Sequence, residues 1–160
     1  PVRVRVIGYQ FGFNYHYPGE DGIFGRIDRT RVAAVGDPCI DPDDPNGNDD
    51  FVSGVLKLPV NRNAILQITS TDVIHNYSIV PMRIQQDAFP GQDIPMWFKP
   101  IKELETHVIC GQLCGEGHAN MKGFMEVISD KAFRGWAADQ SATALQKSKA
   151  SQGGPTVAQK

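Results

Sequence analysis

Cys110-Gly-Gln-Leu-Cys114-Gly-Glu-Gly-His118-Ala-Asn-Met121 places two thiols, an imidazole and a thioether in one short segment. Thiolate, imidazole and thioether form a soft donor set, which suits copper far better than magnesium or calcium. The donor residues recur at intervals of 4, 4 and 3, a spacing that would gather them on one face of an α-helix. Glycines at 111, 115 and 117 oppose that helix. Each would cost roughly 1 kcal/mol relative to alanine. The segment therefore reads as a glycine-rich loop folded back around a metal.

Apolar stretches flank this loop. Thr106-His-Val-Ile109 precedes it, and Phe124-Met-Glu-Val-Ile128 follows with alternating character, which predicts a strand on each side. A loop between strands is a usual place for function carried on a rigid β scaffold. Upstream, Ser70-Thr-Asp-Val-Ile-His-Asn-Tyr-Ser-Ile-Val-Pro81 is also β-rich. Its His75 is expected to supply a second imidazole from a neighbouring loop.

These residues resemble the soluble CuA domain of subunit II of haem–copper cytochrome c oxidases. That family carries Cys-x-Glu/Gln-x-Cys-x-x-x-His-x-x-Met near its end and Asp-x-x-His upstream. Here the positions are Cys110, Gln112, Cys114, His118 and Met121, with Asp72 and His75. Arg83-Ile-Gln-Gln-Asp-Ala-Phe-Pro-Gly91, Ile94-Pro-Met-Trp-Phe-Lys-Pro100 and the aromatic Gln10-Phe-Gly-Phe-Asn-Tyr stretch resemble further family segments in the same order.

The resemblance implies an all-β, cupredoxin-like Greek-key sandwich or barrel with a short C-terminal helix. It implies two copper ions bridged by Cys110 and Cys114, with His75 and His118 capping one each. Met121 would be a weak axial ligand on one copper, and the Gln112 backbone carbonyl would serve the other. The implied function is electron transfer within a terminal oxidase, from cytochrome c to haem a of subunit I, with dioxygen reduction located elsewhere. The family's electron-entry tryptophan aligns with Phe11, beside Gly12 and Phe13, so entry is expected there. Gln112 stands where Glu is commoner. It keeps the backbone carbonyl but loses a carboxylate that helps hold magnesium at subunit I. Family members are anchored by membrane helices on the extracytoplasmic, periplasmic face of a bacterial inner membrane, so this chain is expected to be a soluble excised domain.

The composition agrees with one packed domain. The chain has 160 residues, 41% of them hydrophobic, and a net charge of −2. A general nucleic-acid footprint is absent at that charge. No apolar run of these 160 residues reaches the roughly 18 that span a bilayer, and Pro1 is expected to be a processed or artificial start with no signal peptide behind it. Three cysteines make no disulfide framework. Cys39 is expected to be a small, semi-buried side chain.

Val2-Arg-Val-Arg-Val6 alternates strictly and predicts an opening strand. A second strand is expected over 11–17, then others near 54–58, 64–70, 74–80, 94–99, 104–110 and 123–128. Short strands separated by turn signals predict a β-sandwich. Residues 18–50, rich in Pro, Gly and Asp, read as a long excursion. A helix is expected from Ser129, with Phe133, Trp136 and Ala137 on its buried face. The domain is therefore drawn as 1–138, and the polar segment 139–160 as a disordered tail. His16 and His107 are expected to be strand or surface histidines, and Trp97 and Trp136 core residues.

Six aspartates lie between Asp37 and Asp50, with no Lys or Arg from 32 to 56. The run reads either as a solvated polar loop or, with Asp43, Asp44, Asp49 and Asp50 joined by Asp72 and Asp87, as an acidic surface that steers a positively charged cytochrome c. The competing reading is a Sco-like copper chaperone, which also uses Cys-x-x-x-Cys with a distant His. It requires a thioredoxin fold with βαβ content.

Overall fold

The alternating valines of the N-terminus open the fold as expected, because Val2, Val4 and Val6 all turn inward and are buried. The computed structural model describes residues 1–28, 30–31 and 34–152. Ten strands follow in order: β1 (Val2–Tyr9), β2 (Gly12–Tyr17), β3 (Phe51–Ser53), β4 (Val55–Pro59), β5 (Ala64–Ser70), β6 (His75–Ile79), β7 (Ile84–Ala88), β8 (Ile94–Phe98), β9 (Leu104–Cys110) and β10 (Lys122–Ile128). One helix, α1 (Asp130–Gln152), ends the described chain.

The strands form two five-stranded sheets, ordered β3-β2-β1-β5-β8 and β4-β10-β9-β6-β7. Most neighbours are antiparallel, but β1 runs parallel to β5 and β10 parallel to β4. Between the sheets lies one apolar core. The first sheet contributes Val4, Val6, Tyr15, Leu66 and Ile68, and the second Leu56, Leu58, Tyr77, Val108 and Met125. Tyr77 meets Phe13 edge to face at 5.0 Å, and its hydroxyl donates to Tyr15 Oη at 3.4 Å. This is the expected all-β sandwich. No α-helix precedes residue 130 among the described residues, so the βαβ layout of the chaperone reading is absent there.

β3 and β7 lie outside the strands expected from sequence. β3 has three residues, and β7, Ile-Gln-Gln-Asp-Ala, has little apolar alternation because it is a sheet edge. Trp97 corrects another expectation. It lies on the edge strand β8, where Met96 turns inward, and is 79% exposed. Trp136 does pack as expected, edge-on to Tyr17 at 5.2 Å and to Phe51 at 5.4 Å.

The excursion between β2 and β3 covers the outer face of the first sheet. There His16, on β2, is fully buried rather than a surface side chain. Its Nε2–H donates to Asp50 Oδ2 at 2.6 Å, and its Nδ1 accepts from the Arg5 guanidinium at 3.3 Å. Asp50 also accepts the Gly25 N–H at 2.8 Å, and Phe24 lies against the His16 ring at 5.0 Å.

The expected tail is corrected over 139–152, which continues α1. Its polar residues are held by the excursion instead of by a core. Ser141 is buried and donates to the Asp49 carbonyl at 3.1 Å, and Ser148 Oγ donates to Asn48 Oδ1 at 2.6 Å. Residues 153–160 of that expected tail lie outside the described residues.

Candidate metal centre

The metal-type side chains gather at one end of the second sheet because their strands are neighbours. His75 opens β6, Cys110 closes β9, and β6 and β9 pair with Tyr77 opposite Cys110. The loop 111–121 then returns to β10, which is paired with β9 on its other side. It is a loop and not a helix, as the glycines predict. Only the 3-10 turn His118–Asn120 is regular within it. Gly117 must be glycine because a Cβ there would collide with the Phe11 ring.

Cys110 Sγ and Cys114 Sγ stand 3.8 Å apart, both buried and both free of disulfide. His75 Nδ1 lies 3.9 Å from Cys110 Sγ. His118 Nδ1 and Met121 Sδ each lie 3.6 Å from Cys114 Sγ. The Cys110 thiol donates to the Gln112 backbone carbonyl at 3.1 Å. All six residues singled out from the sequence are thus brought together. Two sulfurs occupy the middle, with His75 and the Gln112 carbonyl on the Cys110 side and His118 and Met121 on the Cys114 side. The donor atoms of His75, Cys110 and Cys114 all fall within 4.8 Å of one another. Buried soft donors converging without a disulfide fit copper.

Asp72 sets the state of His75. Its Oδ1 accepts from His75 Nε2 at 2.8 Å, leaving Nδ1 as the lone-pair nitrogen toward Cys110. Such a carboxylate behind a histidine fixes tautomer and ring orientation. Partial burial acts to raise the Asp72 pKa, but hydrogen bonds from the Gln10 N–H, His75 and the Val73 N–H outweigh it and hold the carboxyl below its ordinary value. Burial first, then the hydrogen bond and charge of Cys110, push the Cys114 thiol up to about 11. Metal binding must therefore displace a proton there.

Several acids expected to face a partner are placed otherwise. Asp49 and Asp50 are 7% and 6% exposed and turn inward. Asp49 accepts the backbone N–H groups of Glu20 and Asp21, and Asp50 pairs with His16. A buried carboxylate that satisfies backbone donors is structural, and sequence periodicity carries no sign of it in an irregular segment. Asp72 faces His75. Asp87 remains half-buried and accepts from Asn76 Nδ2 at 2.7 Å. Asp44 accepts the Arg26 and Asn46 N–H groups, which leaves Asp43 the freely exposed acid of the set.

An apolar rim lies beside the donors, and of its residues only Phe11 was singled out from the sequence. Leu113 is 77% exposed, Phe11 is 42% exposed, and Val73 and Ile74 are also exposed. Leu113 and Ile74 are adjacent in sequence to a donor, Val73 lies two residues before His75, and Phe11 packs on the donor loop. Phe13, expected at the electron entry with Phe11, is instead a core residue against Tyr77. It faces inward because it alternates with the buried Tyr15 and Tyr17 along β2.

The family described as Cytochrome C oxidase subunit II, periplasmic domain, matches residues 2–128. The alternative cytochrome c oxidase subunit 2 of Bradyrhizobium diazoefficiens is 29% identical over 141 residues, covering 87% of this chain and 51% of that relative. Cytochrome c oxidase subunit 2 of Cereibacter sphaeroides is 31% identical over 145 residues, covering 84% of this chain and 48% of the relative. This chain thus spans about half the length of both curated relatives. Among solved structures, it is similar to the periplasmic domain of cytochrome oxidase subunit II of Bradyrhizobium japonicum, with a TM-score of 0.64 and 28% identity over 91% of this chain and 94% of that one. None of the helices among the described residues is long and apolar enough to cross a membrane. The two-sheet fold, the donor loop between β9 and β10 and a match over nearly the whole sandwich agree, and the chain belongs to the family of periplasmic domains of cytochrome c oxidase subunit II.

Proposed function

We propose that this chain is the electron-entry domain of its oxidase, accepting electrons from cytochrome c and passing them to haem a in subunit I. The observation that carries the reading is the pair of buried thiols 3.8 Å apart with a histidine Nδ1 beside each sulfur. Two coppers, held by Cys110, Cys114, His75, His118, Met121 and the Gln112 carbonyl, would supply a one-electron carrier whose charge change is spread over metals and sulfurs. The protein's own contribution is rigidity. Cys110 and His75 are strand-end residues, and the loop between Cys110 and Met121 is closed by the Cys110 N–H donating to the Met121 carbonyl at 3.2 Å. Asp72 keeps His75 in one tautomer. The periplasmic placement of the family supports an anchored parent protein on that face of the membrane.

Copper titration followed by EPR and visible spectroscopy tests the proposal. Two coppers per chain with a seven-line hyperfine pattern are expected. One copper with a four-line pattern would overturn the binuclear reading.

The donor is expected to dock on the apolar rim, with Phe11 as the contact nearest the loop. Phe11 packs on Gly115 and Gly117, which join Cys114 to His118. Phe11→Ala is expected to slow electron uptake from reduced cytochrome c on the order of tenfold, since a displacement of about 1 Å at a reacting contact costs at least that order. Stopped-flow kinetics at two ionic strengths measure both contact and steering. An unchanged rate removes Phe11 from the route. A salt-independent rate removes Asp43, Asp44 and Asp87 from the docking surface.

A further inference from the structure

We infer that Gln10 is a positioning residue of the metal centre, its side-chain amide anchoring the donor loop and its backbone anchoring the histidine arm. The inference rests on the copper reading above. The metal-type residues all come from the second sheet and its loop, whereas Gln10 stands in the turn between β1 and β2 of the first. From there it makes two separate ties. Nε2 donates to the Cys114 carbonyl at 2.6 Å, across 104 residues of sequence. The backbone N–H donates to Asp72 Oδ2 at 2.7 Å, and the other Asp72 oxygen accepts from His75.

The amide tie falls at the point that aims His118. The peptide it holds joins Cys114 to Gly115, whose φ is +141°, and the Gly115 carbonyl accepts the His118 N–H at 3.1 Å. The Gln10 amide lies directly over Gly115, 2.9 Å from where a Cβ would stand. Only the amide's NH₂ group can face a carbonyl productively, so its orientation is set by that contact. Partners behind a ligand typically change metal affinity by about 10–100-fold when lost.

The two ties are separable, because changing the side chain leaves the backbone N–H bond to Asp72 in place. Gln10→Met keeps length without a donor, and Gln10→Glu presents a carboxylate that cannot donate at neutral pH. Both variants and the parent are compared metal-free and copper-loaded. Hydrogen exchange at the His118 amide is expected to speed up about tenfold. The Val73 amide, which donates to Asp72, should be unchanged. Copper release to excess chelator should accelerate on the order of tenfold, with an altered hyperfine pattern. Parental His118 exchange and copper release in both variants would overturn the inference. So would an equal rise at core amides such as Val108, which marks general loosening. A parent chain that takes up no copper would sink the copper reading instead, and the metal-free exchange would still report on Gln10.

Discussion

Cys114→Ser is expected to abolish the two-copper spectrum while leaving a folded chain. Cys114 is the hub of the centre. Its sulfur lies 3.8 Å from Cys110 Sγ and 3.6 Å from both His118 Nδ1 and Met121 Sδ. His118 and Met121 therefore meet the rest of the donor set through this one atom. Serine nearly preserves the volume but substitutes a hard, weakly acidic hydroxyl for a thiolate, and soft metals are held by thiolate. Because losing partners behind a ligand already costs about 10–100-fold in metal affinity, losing this ligand should cost more than a hundredfold at one of the two positions. The expected readout is one copper per chain or none, no seven-line EPR pattern, and a metal-free urea midpoint within about 1 kcal/mol of the parent. A variant that still binds two coppers with the parental spectrum would show that Cys114 does not bridge.

The largest effect on stability is expected at His16, far from the metal. The side chains of His16 and Asp50 are both fully buried and joined at 2.6 Å. Besides His16, Asp50 Oδ2 accepts the Gly25 N–H, while Asp50 Oδ1 is buried with no hydrogen-bond partner among the described residues. His16→Leu leaves that carboxylate without its main compensation. Removing one member of a buried pair costs about 3–5 kcal/mol, a large share of the roughly 5–15 kcal/mol that keeps a domain folded. The double variant His16→Leu with Asp50→Leu should recover much of the loss, since two apolar residues need no pairing. Urea midpoints of the four chains in this cycle measure the coupling, and additive losses would show that the pair is not what holds the excursion down.

The same pair gives a pH signature. Burial, the largest influence, lowers the His16 pKa from its ordinary 6.5, although the Asp50 hydrogen bond and charge act to raise it. In the unfolded chain His16 takes up a proton near pH 6.5, whereas the folded chain resists until lower pH. Below about pH 6.5 the unfolded state therefore binds more protons, and stability falls as pH drops toward the folded value. Above that pH this contribution is complete and flat. The parent should show this slope and His16→Leu should lack it, so equal slopes in the two chains would reject the assignment.

The donor loop was legible because everything it needs is local. Glycines forbid the helix that 4, 4, 3 spacing would allow, and flanking alternation marks the strands. What stayed hidden follows from partners distant in sequence. Asp49 and Asp50 read as solvated acids until the fold brings backbone N–H groups and His16, 34 residues from Asp50, against them. Polar residues 139–152 look too hydrophilic to order, yet Ser141 finds Asp49 92 residues away. Trp97 and Met96 are adjacent apolar residues, and only the sheet's edge and pleat decide which faces water.

From sequence alone came the donor chemistry, the family, the two-sheet architecture and six metal-type residues, because ligand identity and strand alternation are written in short-range order. The tertiary structure supplied the distances at which those donors converge in the two halves that the family resemblance implied. It also decided that Asp72 serves His75 and not a docking partner, that Gln10 reaches Cys114 across 104 residues, and that the acidic excursion is sealed onto the sheet by a buried hydrogen bond from His16 to the Asp50 carboxylate. The physical reason is common to all four. A hydrogen bond or a desolvated charge acquires its energy from a partner and a burial that no local pattern specifies.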